Sequence, residues 1–335
     1  EFRRVLFRSV KSDEKQKETI MRIIGTGSAL PKKIVTNDML SEFLDTGDEW
    51  IVPRTGIRKR HVISDENIED LGAEAAMNAI KMSGLDISEI DYFICSNVIN
   101  EYITPGLSCI ISEKIGLSCP CIDINCACPG FIYAMDIAES HFQAGRVKNV
   151  LIVCAEEPTR MTDWHDRSTC VLFGDGAAAA VFTAGNNMKG IRLHSQPSTD
   201  KIWQKRKLEP TPYITKEEVD VPLQMKGKEV FKFAVNASTT EVEALLNELG
   251  ITKDQVSYYM VHQANKRIID AIKNYLNEPD EKFPTNIVDH GNSSSASCAI
   301  LLDECNRKGM FQKGDILVFS AFGAGLLSGV AVLEW

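Results

Sequence analysis

The sequence predicts an α/β fold made of two copies of one unit, and three observations carry that prediction. Short apolar runs alternate with segments whose apolar residues recur at helical spacing, as buried strands flanked by helices do. One order of features occurs twice: a helix, a Gly and a Lys, an apolar strand, then Phe-Gly-x-Gly and a last strand of small and apolar residues. It runs from Cys128 through Gly145, Lys148 and Leu151 to Phe173–Gly176, and again from Ser293 through Gly309, Lys313 and Ile316 to Phe322–Gly325. The chain of 335 residues, 44% hydrophobic and 25% charged, is ample for a packed core. Matching Leu151 to Ile316 divides it into halves 21–185 and 186–335 and sets Cys128 opposite Ser293. If the halves pack pseudo-symmetrically, the two matching helix starts meet at one cavity.

Composition removes several classes of function. A net charge of −9 argues against a nucleic-acid partner, while a local basic patch for an acidic partner stays compatible with it. No apolar run reaches about 18 residues, so no transmembrane helix and no membrane partner are expected. Ten Cys are present. Cys119, Cys121, Cys126 and Cys128 crowd together, but at C-x-C spacing instead of the C-x-x-C of zinc sites, so no metal is expected. No secretory signal is read, and the chain is placed in a reducing cytoplasm. Residues 1–9 resemble the translation of a sequencing-adapter oligonucleotide, and 10–20 are charged without an apolar period. Residues 1–20 are therefore read as a non-native or disordered leader outside the fold.

Met21 opens the first strand, and a Gly/Ser/Pro loop follows. Asn37 is expected to cap a helix over 39–44, and 45–50 to break it. The basic segment 51–60 is either a solvated loop or an anion site, with Trp50 as a flat surface beside Arg54. A helix is predicted over 68–82, a buried strand over 91–97, a helix over 105–115 and a short buried strand over 119–124, with Cys119 and Cys121 on one face. The next helix covers 131–145, with Pro129 at its first position. A strand over 150–155, a polar loop over 156–167 and a small-residue strand to 182 close the first half. A variable stretch over 196–226 precedes a strand over 258–261, a helix over 267–276 and the second copy of the repeat.

Three residues stand out chemically. Cys128 sits where a helix should begin, and the positive end of a helix dipole favours thiolate, the state of a nucleophile. The alternative is a buried structural Cys. His262 follows directly on a buried strand, the usual place for active groups in an open α/β sheet, although a lone His is more often structural. Asn292 is either a neutral double-ended hydrogen bonder in the site or a helix cap. The trio suits a papain-type hydrolase or a thioester chemistry in which His and Asn donate to a carbonyl. The duplicated α/β pattern fits the second.

Several segments carry a resemblance: 36–37 with 48–51 and 54–57, then Asn125–Phe131, Phe173–Ala178, Glu229–Lys232, His262–Asn265, Gly291–Ser294 and Phe322–Gly325. In this order and spacing, from Met21 to Trp335, the chain resembles β-ketoacyl-acyl-carrier-protein synthase III of the thiolase-like superfamily. The resemblance implies an αβαβα layered fold with pseudo-symmetric halves. It implies a decarboxylative Claisen condensation of acyl-CoA with malonyl-acyl carrier protein, starting fatty-acid synthesis without a cofactor. Cys128 would be acylated, with an oxyanion hole from the backbone N–H groups of Cys128 and Ala324. His262 and Asn292 would polarise the malonyl thioester, and Phe131 or a neighbouring aromatic would disfavour its carboxylate.

Trp50, Arg54, Thr55 and Arg167 match the coenzyme A contacts. Lys232, Lys266 and Arg267 match the basic rim for the carrier protein, with Lys273 a weaker candidate that a solvated helix face explains as well. A homodimer is implied, with Thr104 near the position that closes the acyl channel across it. Pro129, Ala324 and Leu326–Gly329 depart from the family pattern and bear on primer size. Three other readings stand beside this one: an acyltransferase of secondary metabolism with the same trio, a thioester hydrolase, and a non-catalytic carrier-protein-binding homologue. Products distinguish them, since the hydrolase releases free acid and the non-catalytic homologue forms no adduct.

Overall fold

A computed structural model describes residues 21–205, 208, 209, 211–214 and 219–335, and the proposed leader 1–20 lies outside the described residues. The first half runs β1 (Met21–Ala29), β2 (Ile34–Thr36), α1 (Asn37–Ser41), α2 (Asp48–Thr55), β3 (Lys59–His61), α3 (Ile68–Ser83), β4 (Tyr92–Ser96), α4 (Leu107–Ile115), β5 (Cys121–Ile124), α5 (Gly130–Gln143), β6 (Asn149–Glu156) and β7 (Gly176–Ala184). The second runs β8 (Met188–Ser198), β9 (Ile202–Lys205), β10 (Val221–Met225), α6 (Gly227–Leu249), β11 (Val256–Val261), α7 (Lys266–Leu276), α8 (Ile287–His290), α9 (Ala296–Arg307), β12 (Ile316–Gly323) and β13 (Gly325–Glu334).

The two main sheets have orders β1-β7-β6-β4-β5 and β8-β13-β12-β11. In both, the first two pairings are antiparallel and the next is parallel, so the second sheet repeats the first without an equivalent of β5. Side-chain alternation then builds the layers. Leu151, Val153, Ala177 and Ala179 face α3 and α4 on the outside, whereas Ile152, Cys154, Ala178 and Ala180 face α5 and α9 between the sheets. On the second sheet Leu317, Phe319 and Ala321 face that same central layer, and Val318 and Phe322 face α6 and α7. The result is αβαβα, with both sheets covered on both faces. This is why residues 150–155 read as a continuous apolar run.

Small residues set the layer spacing. A Cβ at Gly25 or Gly27 would stand closer than any real Cβ approaches to Ala79 O or Ala75 O, so β1 lies directly on the backbone of α3. Across the halves, buried Asp303 of α9 accepts from Thr26 Oγ1 (2.7 Å) and Ser28 Oγ (2.6 Å) of β1. It also accepts from Arg307 Nε (2.9 Å), so the carboxylate is fully partnered.

Several expectations change. Thr36, not Asn37, caps α1, accepting from the Met39 N–H. Asn37 is buried instead, accepting from Arg60 (2.9 Å) and donating to Asp48 and Ile57 O. Residues 48–55, read as a break followed by a loop or anion site, form α2 even though Pro53 lies inside it. The strand read as buried, β5, is a partly exposed edge. Its Asp123 caps α4 through the N–H groups of Leu107 (2.5 Å) and Ser108 (2.7 Å). Pro129 precedes α5 as its cap residue and is not its first helical position. The repeat register also moves by two residues. The equal-length strands β6 and β12 start at Asn149 and Ile316, and the left-handed residues Ala127 and Ser294 stand at the same interval, so Ser295 and not Ser293 is opposite Cys128.

Gly27→Ala is expected to lower unfolding free energy by about 1–3 kcal/mol through overpacking. Gly47→Ala, in open space with extended φ, should cost less, about 0.5 kcal/mol, through the N-cap preference for Gly over Ala. Urea denaturation of both variants checks this, and equal effects would remove the argument that Gly27 sets the layer spacing.

Candidate functional site

A cavity of about 660 Å³ opens where the two halves meet, and Cys128, His262, Asn292, Ala324, Trp50, Arg54, Thr55, Arg167, Lys232 and Arg267 all line it. Each Phe-Gly turn supports the other half's part of the floor. In the second half, a Cβ on Gly323 would lie 2.9 Å from Cys128 N and 3.1 Å from Cys128 Cβ, so only glycine lets this turn press on the Cys128 loop. In the first half, a Cβ on Gly174 would collide with His290 O, and Phe173 bridges to Asn292. Hydrogen bonds from Asn292 N–H to Leu172 O (2.8 Å) and from Gly174 N–H to Asn292 O (3.1 Å) complete that clamp. Ala127 (φ 49°) and Ser294 (φ 51°) hold left-handed conformations on the two facing loops, a strained geometry that the clamps maintain.

His262 emerges from β11 with its N–H on Ser320 O (2.8 Å), and its ring edge meets Phe322 at 5.3 Å between centroids. Its Nδ1 lies 2.5 Å from Ser297 Oγ, a hydroxyl that also accepts from the Gln263 N–H (3.4 Å). In the tautomer in which Ser297 gives its proton to Nδ1, Nε2–H is the donor available to the cavity. Burial pushes the imidazole down to about 3, so the ring is neutral. Asn292 Oδ1 accepts from the Ser294 N–H (2.9 Å), and the group left over is the Nδ2 amide, a second neutral donor. The cap residue of α9 is Ser295, so Asn292 is not that helix's cap.

Cys128 departs from the dipole expectation. It lies two residues ahead of α5, and burial pushes its thiol up to about 12, opposed by a hydrogen bond from Ser294 and reinforced by the field of Glu156. Here desolvation outweighs the helix end. Glu156, read as the start of a polar loop, is the buried last residue of β6 and is itself pushed up to about 7 by burial. Sequence reasoning missed Glu156, Ser294 and Ser297. The only available signal was an acid ending an apolar run.

At the mouth, the Arg54 and Arg167 guanidiniums lie 4.6 and 5.0 Å from the Trp50 ring centroid. Thr55 lines the cavity, but its hydroxyl is engaged by Ile51 O (2.9 Å) and the Ile57 N–H (3.0 Å). Lys232 and Arg267 stand on the rim, with Arg267 6.0 Å from Phe231. Lys266 does not line the cavity. Its amine pairs with Asp270, and its stem packs on Gly56 between α2 and α7. Lys273 pairs with Asp280, the solvated-face alternative. Phe131 is buried against Phe319 (6.0 Å), and Phe322 is the aromatic beside His262. Thr104 is not among the lining residues. Ile202, Leu223 and Met225 of the β9–β10 hairpin, within the stretch read only as variable, are.

With the geometry in view, comparisons with known proteins agree on one kinship. Family models described as 3-oxoacyl-[acyl-carrier-protein] synthase III match residues 122–200, and its C-terminal model matches 246–335. The β-ketoacyl-[acyl-carrier-protein] synthase III of Clostridium acetobutylicum is 38% identical over 94% of this chain and 98% of its own length. That of Xanthomonas euvesicatoria is 38% identical over 95% and 99%. Among solved structures, the 3-oxoacyl-[acyl-carrier-protein] synthase III of Aquifex aeolicus superposes with a TM-score of 0.88 at 36% identity, covering 94% of this chain and all of that one. The priming β-ketosynthase of the R1128 polyketide pathway gives 0.88 at 33%, covering 95% and 97%. On its two-sheet fold, its shared cavity and these likenesses, the chain belongs to the β-ketoacyl-[acyl-carrier-protein] synthase III family.

Proposed function

We propose that this protein condenses an acyl-CoA primer with malonyl-acyl carrier protein, releases a β-ketoacyl-acyl carrier protein and so initiates fatty-acid synthesis. One observation supports this reading above the others: two buried neutral donors, His262 Nε2–H and Asn292 Nδ2–H, share a cavity with a single thiol.

Cys128 attacks the primer thioester, and the backbone N–H groups of Cys128 and Ala324 hold the oxyanion, each worth about 3 kcal/mol. Coenzyme A leaves. The malonyl thioester oxygen then takes hydrogen bonds from His262 and Asn292, and CO2 departs as the enolate forms. Its carbon attacks acyl-Cys128 and frees the thiol. Neutral donors suit the enolate because neither has to give up its proton. Trp50 between Arg54 and Arg167 suits a purine with phosphates attached, with Thr55 beside it. Lys232 and Arg267 suit an acidic carrier protein. Lys266, paired with Asp270, contributes through packing.

The likeness to a polyketide priming synthase favours one second reading, an acyltransferase of secondary metabolism using the same trio. Acyl-CoA and carrier-protein panels followed by mass separate the two, because the readings differ in preferred primer and acceptor. We also read a homodimer, supported by the open edge of β5 and the neighbouring exposed side chains Tyr102 and Ile103, the latter 78% exposed. Light scattering is expected to give twice the chain mass, and a monomer at micromolar concentration rejects this. The net charge of −9 supports work without a nucleic-acid partner, and the free thiols among the described residues suit a reducing cytoplasm. Among the described residues no helix is long and apolar enough to cross a membrane.

Cys128→Ala should abolish the covalent acyl adduct seen by intact mass. His262→Ala should still form acyl-Cys128 yet condense on the order of 10²-fold more slowly or worse. If His262→Ala blocks acylation and spares condensation, the assigned roles are wrong. The His262 ring, held down to about 3, charges only as pH falls toward that value, so its NMR signals should not move between pH 8 and 5. A ring that titrates near the ordinary value of about 6.5 contradicts the neutral-donor assignment.

A further inference from the structure

Glu156 has no part in the chemistry just described, yet it is 1% exposed and stands directly behind the cavity wall. Its Oε2 accepts from the Val98 N–H (3.1 Å). Its Oε1 accepts from Ser295 Oγ (2.5 Å) and, at 3.4 Å, from Ser294 Oγ. Ser294 lines the cavity as Cys128 does, and its hydroxyl, with one proton to give to either the sulfur or the carboxylate, lowers the Cys128 thiol against the effect of burial. A continuous path thus runs from sulfur to hydroxyl to carboxylate. Among the described residues no cation pairs with Glu156. The titratable groups that feel it are the thiols of Cys95 on β4, Cys154 on β6 and Cys128. A buried carboxylate without a cation is costly, and a purely structural link between hydroxyls could be made by an amide.

We propose that Glu156 is a positioning residue that holds the proton of Cys128 during acylation, with Ser294 as the carrier. As the sulfur bonds to the thioester carbon, its proton passes to Ser294 Oγ, and the Ser294 proton passes to Glu156 Oε1. When the carbon–sulfur bond to coenzyme A breaks, the leaving thiolate takes up one proton and Glu156 gives one up, so thiol exchanges for thiol. The negative charge moves within the buried site and no second charge is created there. Protonation levels agree with this division of labour. The thiol is pushed up to about 12 and His262 down to about 3, while Glu156, at about 7, is the acceptor best matched to neutral pH.

This inference rests on Cys128 being the nucleophile, and the test keeps the two apart. Cys128 alkylation by iodoacetamide and its acylation by a short acyl-CoA are followed by peptide mass from pH 5 to 9. The unaltered protein should show rates that rise with pH through an inflection near 7, because the ionised carboxylate is the competent form. Glu156→Gln should lose the inflection and react at least tenfold more slowly at pH 7.5. Ser294→Ala, which removes one hydroxyl and keeps the carboxylate, should lose it too, and Glu156→Asp should restore part of it. Folding of each variant is read from its melting temperature, and if Glu156→Gln does not fold, Ser294→Ala carries the test. Variants that keep the inflection, whether at full rate or uniformly slowed, overturn the relay and leave the nucleophile in place. An unaltered protein whose Cys128 accepts neither label nor acyl group overturns both.

Discussion

The site depends on a reciprocal contact in which each half's Phe-Gly turn presses on the other half's functional loop. Gly323, at the end of β12, is close enough to Cys128 that a methyl group would strike the backbone N and Cβ of that residue. Gly174 does the same for the His290–Asn292 segment. Because both contacts are backbone against backbone, they fix position to a fraction of an ångström without relying on side-chain rotamers. They also hold Ala127 and Ser294 in a conformation that a free loop would leave. The reciprocity is one of layout: the first half's turn meets His290, five residues before Ser295, the residue opposite Cys128, so the two contacts fall on different parts of the matching loops.

Burial then decides the chemistry. Water exclusion raises the thiol of Cys128 and the carboxyl of Glu156 and lowers the imidazole of His262, so one cause leaves the thiol and the imidazole neutral and the carboxyl about half charged at pH 7. A site of this kind avoids standing charges in a medium that would penalise them. Its polar groups are aimed instead by local partners: Ser297 on Nδ1 of His262, the Ser294 N–H on Oδ1 of Asn292, and Ser294 Oγ between Cys128 and Glu156. Three consecutive serines before α9, Ser293 to Ser295, make room for these contacts where the two helix starts converge, and Ser96 Oγ reaches Ser295 Oγ at 3.0 Å across the halves.

Much of this was legible in the chain. The repeat, the strand–helix alternation and the Cys128–His262–Asn292 set follow from apolar spacing and from a His that ends a strand. The misreadings share a physical origin, because each turns on a partner far away in sequence. Asn37 looks like a cap, yet Arg60, Asp48 and Ile57 O claim both ends of its amide and the cap passes to Thr36. Residues 51–60 look like a basic loop or anion site, but Ile51 holds α2 in a buried cluster with Leu40 and Ile57. The two-residue slip in register arose from matching Leu151 to Ile316. Residues two apart on a strand share a face, so sequence patterning alone cannot separate the two alignments.

The corrected register shows how one unit came to serve two tasks. With Ser295 opposite Cys128, the position that carries the candidate nucleophile in one half carries in the other the hydroxyl that binds Glu156 at 2.5 Å. Ala127 and Ser294, both left-handed, precede these positions, and the second again supplies a hydroxyl. The two loops therefore have the same backbone and opposite chemical character: one presents a soft sulfur to the cavity, the other a row of hard hydroxyls behind it. Burial raises this thiol, and the helix end it was expected to use lies beyond Pro129. The hydroxyl row lies between the sulfur on one side and the Glu156 carboxylate on the other. Duplication thus places a candidate route for the proton directly across the pseudo-axis from the atom that has to lose it.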